Sequence, residues 1–267
     1  MQHCSKDCNK KCPFENRIFI VNKEFSTLMR SRNLINNMNN ENYAKFVLLD
    51  QYGFKQIDDA VFQQLISFPK TDFIFFIASS FIKRFSNLPA VTKYLHAQKM
   101  QFSQNNPKEC HRVITKYFRS LIPQDKEYYL HSFTIQKGAN YYGLIFGTSH
   151  TLGMEKFLKV CWKHDEMSGE SNCNIDNDYE KGSLFYDDTQ SVKKVHVLEE
   201  LKDAILLGKI RDNRTGLKYA LKRGCQPSLY IKAITELANA KKVIITGKFN
   251  KQATNIHKVD VYTIIPK

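Results

Sequence analysis

The stretch Lys45-Phe46-Val47-Leu48-Leu49-Asp50-Gln51-Tyr52-Gly53 joins a short apolar run to a polar and aromatic end. A continuous apolar run of this length is typical of a strand in a parallel sheet, because helices cover both faces of such a sheet. Open α/β sheets bind their ligands just past the carboxyl ends of these strands. Asp50, Tyr52 and Gly53 are therefore candidate catalytic residues. The alternative is an ordinary turn between a strand and a helix.

A second apolar run, Asp72–Ala78, extends this region to a βαβ unit, with a helix predicted over Asp58–Ser67. Two further strands, Tyr128–Gln136 and Asn140–Ser149, are predicted to form a hairpin. The pattern indicates an α/β domain over residues 17–165. Its sheet is expected to be an incomplete doubly wound sheet of the Rossmann-like, methyltransferase type that ends in the antiparallel hairpin.

The segment before this unit predicts a further strand and a cofactor contact. Arg17–Lys23 has the composition of a strand, a helix is predicted to begin at about Ser26, and the asparagine-rich run Asn33–Asn42 is typical of a loop. Glu24 follows the predicted strand, where a carboxylate commonly accepts the ribose hydroxyls of a nucleotide-like cofactor. Glu24 is thus a candidate cofactor-binding residue, and the alternative is a surface glutamate.

The last part of the chain, residues 192–267, predicts a different domain. Three helices are followed by two alternating strands, which is the order of a winged helix-turn-helix domain. The predicted helices are Val195–Leu207, Thr215–Arg223 and Leu229–Ala240, and the predicted strands are Lys242–Lys248 and Val259–Ile265. The acidic, polar segment 166–191 is expected to be a linker.

The positive charge of the chain is concentrated in this last part. The formal net charge is +14, and residues 192–267 contain 16 Lys and Arg against 6 Asp and Glu. Such an excess predicts a polyanionic partner, most simply nucleic acid, and we expect DNA. A basic surface without a partner is the alternative.

In helix-turn-helix proteins the second helix of the pair enters the major groove. Here that helix is Leu229–Ala240, with Ser228 predicted as its cap, and with Tyr230 and Lys232 predicted to face outward. The predicted nucleic-acid contacts are Lys218, Lys222, Arg223, Ser228, Tyr230, Lys232, Thr235, Lys248 and Lys251.

The first 16 residues form a cysteine-bearing tail. Cys4, Cys8 and Cys12 are equally spaced, and thiolates at this spacing could bind zinc or an iron–sulfur cluster. The alternative, free thiols in a disordered tail, is the one we expect, so no metal is predicted. The sequence contains no run of 18 apolar residues and no apolar stretch of the signal-peptide type at its start. We therefore expect a cytoplasmic protein that does not interact with membranes.

Several segments resemble the three-Cys-motif partner protein family (TcmP) over about residues 17–265. They are Phe46–Ile57, Asp72–Ile77 and Tyr141–Gly153, together with Arg84 and Trp162. The resemblance implies a class I methyltransferase fold with a C-terminal winged helix. It also implies a candidate partner, a phage-type protein with a three-cysteine motif similar to radical-SAM enzymes. The family motif is close to Asp-Pro-Phe-Gly, where this chain has Asp50-Gln51-Tyr52-Gly53.

The resemblance leads to one favoured hypothesis and two alternatives. Members of the family carry a glycine-rich loop that should hold S-adenosylmethionine, and this sequence has no such loop after a predicted strand. We therefore expect no cofactor for this chain alone, and S-adenosylmethionine only if another part supplies the loop. The favoured hypothesis is a nucleic-acid-binding, degenerate methyltransferase-like partner protein in a phage-defence or nucleic-acid-modification complex.

The first alternative is an active S-adenosylmethionine-dependent methyltransferase that acts on nucleic acid and uses Asp50 and Tyr52. The second is a structural subunit whose winged helix binds protein.

Overall fold

A computed structural model of the chain describes residues 20–50, 58–78, 107–176, 191–250, 256 and 259–267. The chain divides into two compact units, residues 1–37 and residues 38–267. In the part that is described, every helix is too short or too polar to cross a membrane.

The beginning of the described chain contains two short helices, α1 (Phe25–Met29) and α2 (Arg32–Asn39). Residues 20–23 do not form the predicted strand, and residues 17–19 lie outside the described residues. The loop predicted over Asn33–Asn42 is wrong as well, because α2 occupies most of it. Leu34, Ile35 and Met38 have helical spacing and are partly buried, so their periodicity outweighs the asparagines around them.

A mixed four-stranded sheet forms the centre of the second unit. The order of its strands is β1-β2-β4-β3, where β1 and β2 are parallel and the other neighbours are antiparallel. This confirms an α/β fold in which a parallel pair and an antiparallel hairpin share one sheet. The strands are β1 (Lys45–Leu49), β2 (Thr71–Ile77), β3 (Tyr129–Lys137) and β4 (Asn140–Thr148).

Two helices cover one face of this sheet. Helix α3 (Asp59–Ser67) begins at Asp58, whose carboxylate accepts a hydrogen bond from the Val61 amide at 2.8 Å. Helix α4 (Cys110–Ser120) follows a single 3₁₀ turn. Their aromatic residues meet those of β2, since Phe62 lies edge-on to Phe73 at 6.0 Å and Phe118 lies edge-on to Phe75 at 5.4 Å. Each buried phenylalanine contributes about 2–3 kcal/mol of hydrophobic stabilisation.

The edge strand β1 differs from the prediction. Its apolar run predicts burial on both faces, but the side chains of Phe46 and Leu48 are 63% and 67% exposed. Val47 and Leu49 pair in register with Phe73 and Phe75 and so point to the face that α3 covers. Expected burial on both faces is therefore wrong for β1, because its other face is open to solvent.

Helix α5 (Thr151–His164) packs on the opposite face of the sheet. His150 is its N-cap, and the Nδ1 atom of His150 accepts from the Leu152 amide at 3.2 Å. Phe157 of α5 stacks on Phe146 of β4, with ring centroids 4.6 Å apart. This contact places α5 above the hairpin half of the sheet.

The first part of the predicted linker, residues 165–176, has defined structure. The carboxylate of Asp165 accepts hydrogen bonds from four backbone amides between residues 167 and 171 at 3.0–3.2 Å. Ser171 then forms an isolated parallel bridge with Thr134 of β3. The polar composition thus reflects a hydrogen-bonded loop against the sheet edge. Residues 177–190 lie outside the described residues.

The C-terminal region contains three helices and then a separate two-stranded antiparallel hairpin. Gly224 follows α7 with φ of 71°, the left-handed conformation that commonly ends a helix. Ser228 does not cap α8, because Pro227 occupies the N-cap position and Ser228 is the first helical residue. The elements are α6 (Val192–Leu206), α7 (Asn213–Lys222), α8 (Ser228–Asn239), β5 (Val243–Thr246) and β6 (Thr263–Pro266).

The sheet and the C-terminal helices share one apolar core. Trp162 of α5 belongs to the same buried cluster as Leu201 of α6, Leu217 of α7 and Ile234 of α8. The predicted boundary between residues 165 and 192 therefore does not coincide with a break in packing.

Candidate nucleic-acid interface

The predicted catalytic residues lie at the carboxyl end of β1. Asp50 directly follows β1, and its side chain is exposed. Tyr52 and Gly53 lie outside the described residues. The structure thus places the Asp50 carboxylate at the carboxyl end of β1, as expected.

Glu24 has a local structural role. Its carboxylate accepts a hydrogen bond from the Thr27 amide at 3.0 Å and caps α1, and it also accepts from the Ser26 hydroxyl. These bonds, the Ser26 hydroxyl first and then the Thr27 amide, lower the pKa of Glu24 to about 2. A cap explains this carboxylate without a cofactor.

The cysteine tail, with Cys4, Cys8 and Cys12, lies outside the described residues. Among the side chains that are described, no group of three His, Cys, Asp or Glu residues could hold a metal ion.

Three of the predicted phosphate contacts are engaged by carboxylates. Lys218 Nζ lies 2.8 Å from Glu127, and Lys248 Nζ lies 3.6 Å from Asp260. Arg223 forms a two-pronged pair with the carboxylate of Glu200. These cations could reach phosphates only in competition with their partners.

Two predicted contacts remain available. Lys222 at the end of α7 and Lys232 on α8 are exposed, and within the described part of the chain neither has a carboxylate within 4.0 Å. Lys251 lies outside the described residues.

Helix α8 shows one error in the predicted contacts. Lys232 is exposed, as predicted, and Ile231, Ile234 and Leu237 are buried. Tyr230, however, has no exposed surface, and its hydroxyl lies 3.1 Å from the Tyr262 hydroxyl. The outward orientation predicted for Tyr230 is therefore wrong.

The cause is the small residue that faces Tyr230. Gly216 of α7 leaves room for the aromatic ring, since a Cβ at Gly216 would lie 2.1 Å from Cε2 of Tyr230. The close approach of α7 and α8 turns Tyr230 into a core residue. Thr235, another predicted contact, is half-buried.

A cleft at the start of α8, here called the helix cleft, collects residues from three helices. Its volume is about 490 Å³. Lys194 of α6 lies on one wall, with Nζ 4.2 Å from the centre of the Trp162 ring. Ser228 and Lys232 of α8 lie on the other. The cleft therefore opens onto the N-terminus of a 12-residue helix, where the helix dipole favours anions. The Leu229 and Tyr230 amides there already donate to the Gln226 and Pro227 carbonyls, at 3.0 and 3.1 Å.

A smaller polar cavity, here called the junction pocket, lies on the other side of the turn that begins at Gly224. It has a volume of about 130 Å³. The charged residues that line it come from α4, the 165–176 loop, α6 and the end of α7. They are Arg112, Arg119, Glu170, Lys193, Lys222 and Arg223.

Glu170 organises the cations of the junction pocket. Its carboxylate accepts from Arg112 Nε and from Lys193 Nζ, each at 2.6 Å. Burial raises the pKa of Glu170, but His111, Lys193 and Arg112 together outweigh burial and hold that pKa well below its usual range. Glu170 is thus an anion that fixes two cationic side chains in place.

Sequence reasoning missed three basic residues, Arg119 before the predicted C-terminal domain and Lys193 and Lys194 at its start. Arg119 and Lys193 reach the junction pocket from α4 and from the first turn of α6, and Lys194 reaches the helix cleft. The only signal for these positions is the basic character of the segments around them, which does not identify a shared surface.

A larger cleft, about 790 Å³, lies elsewhere. It is bordered by Lys45 at the start of β1, by Asp72 near the start of β2 and by Val160 of α5. This is the amino end of the parallel strands, opposite to Asp50. This cleft is therefore not the predicted catalytic site.

Comparisons with protein-family models, with curated proteins and with solved structures find no match.

Proposed function

We propose that this chain binds nucleic acid through the helix cleft and the lysines around it. The observation that carries the proposal is the pairing of Lys194 and Lys232, from two different helices, beside the exposed start of α8. Duplex DNA presents a regular series of phosphates, and cations that flank a helix N-terminus can contact them. Lys222 is a further exposed cation of this region, at the junction pocket.

The proposed architecture of this region is a winged helix, with α8 as the second helix of the helix-turn-helix pair. Its support is the pairing of β6 on both sides. β6 pairs with β5 on one side, and on the other the Ile264 amide donates to the Arg211 carbonyl at 2.8 Å. The segment between α6 and α7 thus acts as a third, very short strand, as a winged helix requires.

We propose that the central sheet corresponds to one half of a doubly wound, methyltransferase-type sheet. Strand β4 lies antiparallel between β2 and β3, beside the parallel pair. That arrangement is the one found at the edge of class I methyltransferase sheets, and it supports the resemblance to three-Cys-motif partner proteins. We propose that the chain is a degenerate form of such a protein, which binds nucleic acid without methyltransferase activity. Its proposed role is in a phage-defence or nucleic-acid-modification complex.

The test is direct binding of the whole chain to labelled duplex DNA, measured by fluorescence anisotropy at low salt. We expect saturable binding that weakens steeply as salt rises. Polyglutamate of matched charge is the control, because a surface that only attracts negative charge would bind both polymers alike. Absence of DNA binding at low salt would refute the proposal and leave a protein-binding winged helix as the better hypothesis.

A further inference from the structure

We propose that the junction pocket is a binding site for a phosphate group. The pocket is small, about 130 Å³, and five of the side chains that line it are cationic against one carboxylate. A compact, doubly charged tetrahedral anion matches a cavity of this size and sign.

The charges of the pocket are unevenly matched. Glu170 is shared by Arg112 and Lys193, and Arg112 also pairs with Asp176 at 2.5 Å. Arg223 is held by Glu200.

Two cations are left over. Among the described residues, Arg119 and Lys222 have no carboxylate within ion-pair distance. Burial and then repulsion from Arg223 lower the pKa of Arg119, while Glu170 acts in the opposite direction. A bound dianion would offset the two unpaired charges and relieve this repulsion.

Hydrogen-bond donors are also available. One nitrogen of the Arg119 guanidinium donates to the Leu130 carbonyl at 2.9 Å, which fixes the direction of the group. Its other N–H groups have no hydrogen-bond acceptor among the described residues. Ser132 is only 6% exposed, and its hydroxyl makes no hydrogen bond with the described residues. An arginine fork and a hydroxyl are common ligands of phosphate oxygens.

The wall at Gly224 keeps the pocket open. Gly224 has φ of 71°, and a Cβ there would lie 2.8 Å from Cε1 of His131 and 3.1 Å from Nζ of Lys193. Any side chain at this position would fill the space that the anion needs. The glycine that ends α7 is therefore also the residue that leaves the cavity empty.

His131 adds a preference for an anion that can donate a proton. Its Nε2 atom lies 3.1 Å from the Gly169 carbonyl, which only accepts, so Nε2 carries the hydrogen and Nδ1 has a lone pair. Nδ1 faces Gly224 and the pocket. A phosphate that keeps one proton can donate to such an acceptor, whereas sulfate cannot.

The inference does not depend on nucleic-acid binding. The phosphate could be free or belong to the end of a nucleic acid strand, and both sources offer a tetrahedral dianion. Only free phosphate keeps a proton for His131 as a dianion, whereas a strand-end phosphate keeps one only in its singly charged form. Thermal unfolding of the whole chain in inorganic phosphate tests the site itself, with sodium chloride and sodium sulfate at equal ionic strength as references. A ligand that binds only the folded state raises the midpoint in a saturable way.

We expect a saturable rise with phosphate that exceeds the rise with sulfate. Arg119→Gln should raise the half-saturating phosphate concentration about tenfold or more, because a charge-assisted hydrogen bond is lost. Lys137→Gln, in the β3–β4 turn, is the matched control and should behave as the wild type. If Arg119→Gln fails to fold, Lys222→Gln at the exposed rim replaces it, with the same expected direction.

A phosphate response that is equal in wild type and variant, or no larger than the response to chloride, would overturn the inference. The source is separated by comparing oligonucleotides with a 5′-phosphate and a 5′-hydroxyl. If Arg119→Gln weakens the binding of the 5′-phosphate oligonucleotide alone, the ligand is a strand end. If it changes the binding of neither oligonucleotide but still reduces the thermal response to inorganic phosphate, the ligand is a free phosphate, and the proposed function is unaffected.

Discussion

The indole Nε1 of Trp162 donates a hydrogen bond to the carbonyl oxygen of Gly224 at 2.9 Å. The bond joins α5, which lies on the central sheet, to the turn between α7 and α8. The same turn separates the helix cleft from the junction pocket, and Lys194 lies over the indole ring. The basic surface is thus fixed to the sheet through one buried aromatic residue.

Replacing Trp162 with Phe should lower the free energy of unfolding by about 1–3 kcal/mol, because a buried carbonyl loses its donor. Urea unfolding followed by far-UV circular dichroism measures this. Val160→Ala, at an exposed position of the same helix, is the control and should change stability by no more than about 0.5 kcal/mol. A variant as stable as the wild type would show that the bond does not hold the two layers together.

Replacing Tyr230 with Ala should destabilise the protein by about 3–5 kcal/mol, because the ring fills the space above Gly216. Lys232→Ala on the same helix should have almost no effect on stability. The comparison distinguishes the observed packing from the periodicity-based expectation. A stable Tyr230→Ala protein with reduced DNA binding would mean that Tyr230 faces the ligand after all.

Most of the elements follow from the sequence because their patterns are local. The alternation of Phe73, Phe75 and Ile77 and the cap at Asp58 define β2 and α3 before any tertiary contact is known. The order of three helices and a hairpin at the C-terminus follows in the same way.

The errors arise where distant parts of the chain decide the outcome. Tyr230 is buried because Gly216, 14 residues earlier, has no side chain, and residues 165–176 are ordered because Asp165 collects amides beside β3. The junction pocket draws on five segments between Arg112 and Gly224. No local pattern predicts such a convergence, and so the site could be anticipated only as a general excess of positive charge.

Stability should fall as the pH drops from 6.5 towards 3, and His131 should contribute to this fall. Burial first, and then the charge of Lys193, lower the pKa of His131 to about 3. Above about pH 6.5 both the folded and the unfolded protein carry a neutral imidazole. Below it the unfolded state binds a proton that the folded state does not, so each pH unit costs about 1.4 kcal/mol of stability.

Urea unfolding at pH 7.5 and pH 5.0 measures this contribution. The free energy of unfolding should differ between the two pH values by about 2 kcal/mol less in His131→Gln than in the wild type. His164→Gln, at the exposed end of α5, is the control and should retain the difference. An unchanged difference in His131→Gln would contradict the assignment of His131 as a neutral buried group.

The salt dependence of DNA binding tests the central claim most directly. Lys194 and Lys232 can each offer a charge to a phosphate, and each contact contributes about 0.9 to the slope of log affinity against log salt on duplex DNA. The double variant Lys194→Gln, Lys232→Gln should therefore bind more weakly and with a slope smaller by about 1.8. Lys137→Gln should match the wild type in both respects. Equal slopes in wild type and double variant would contradict the account.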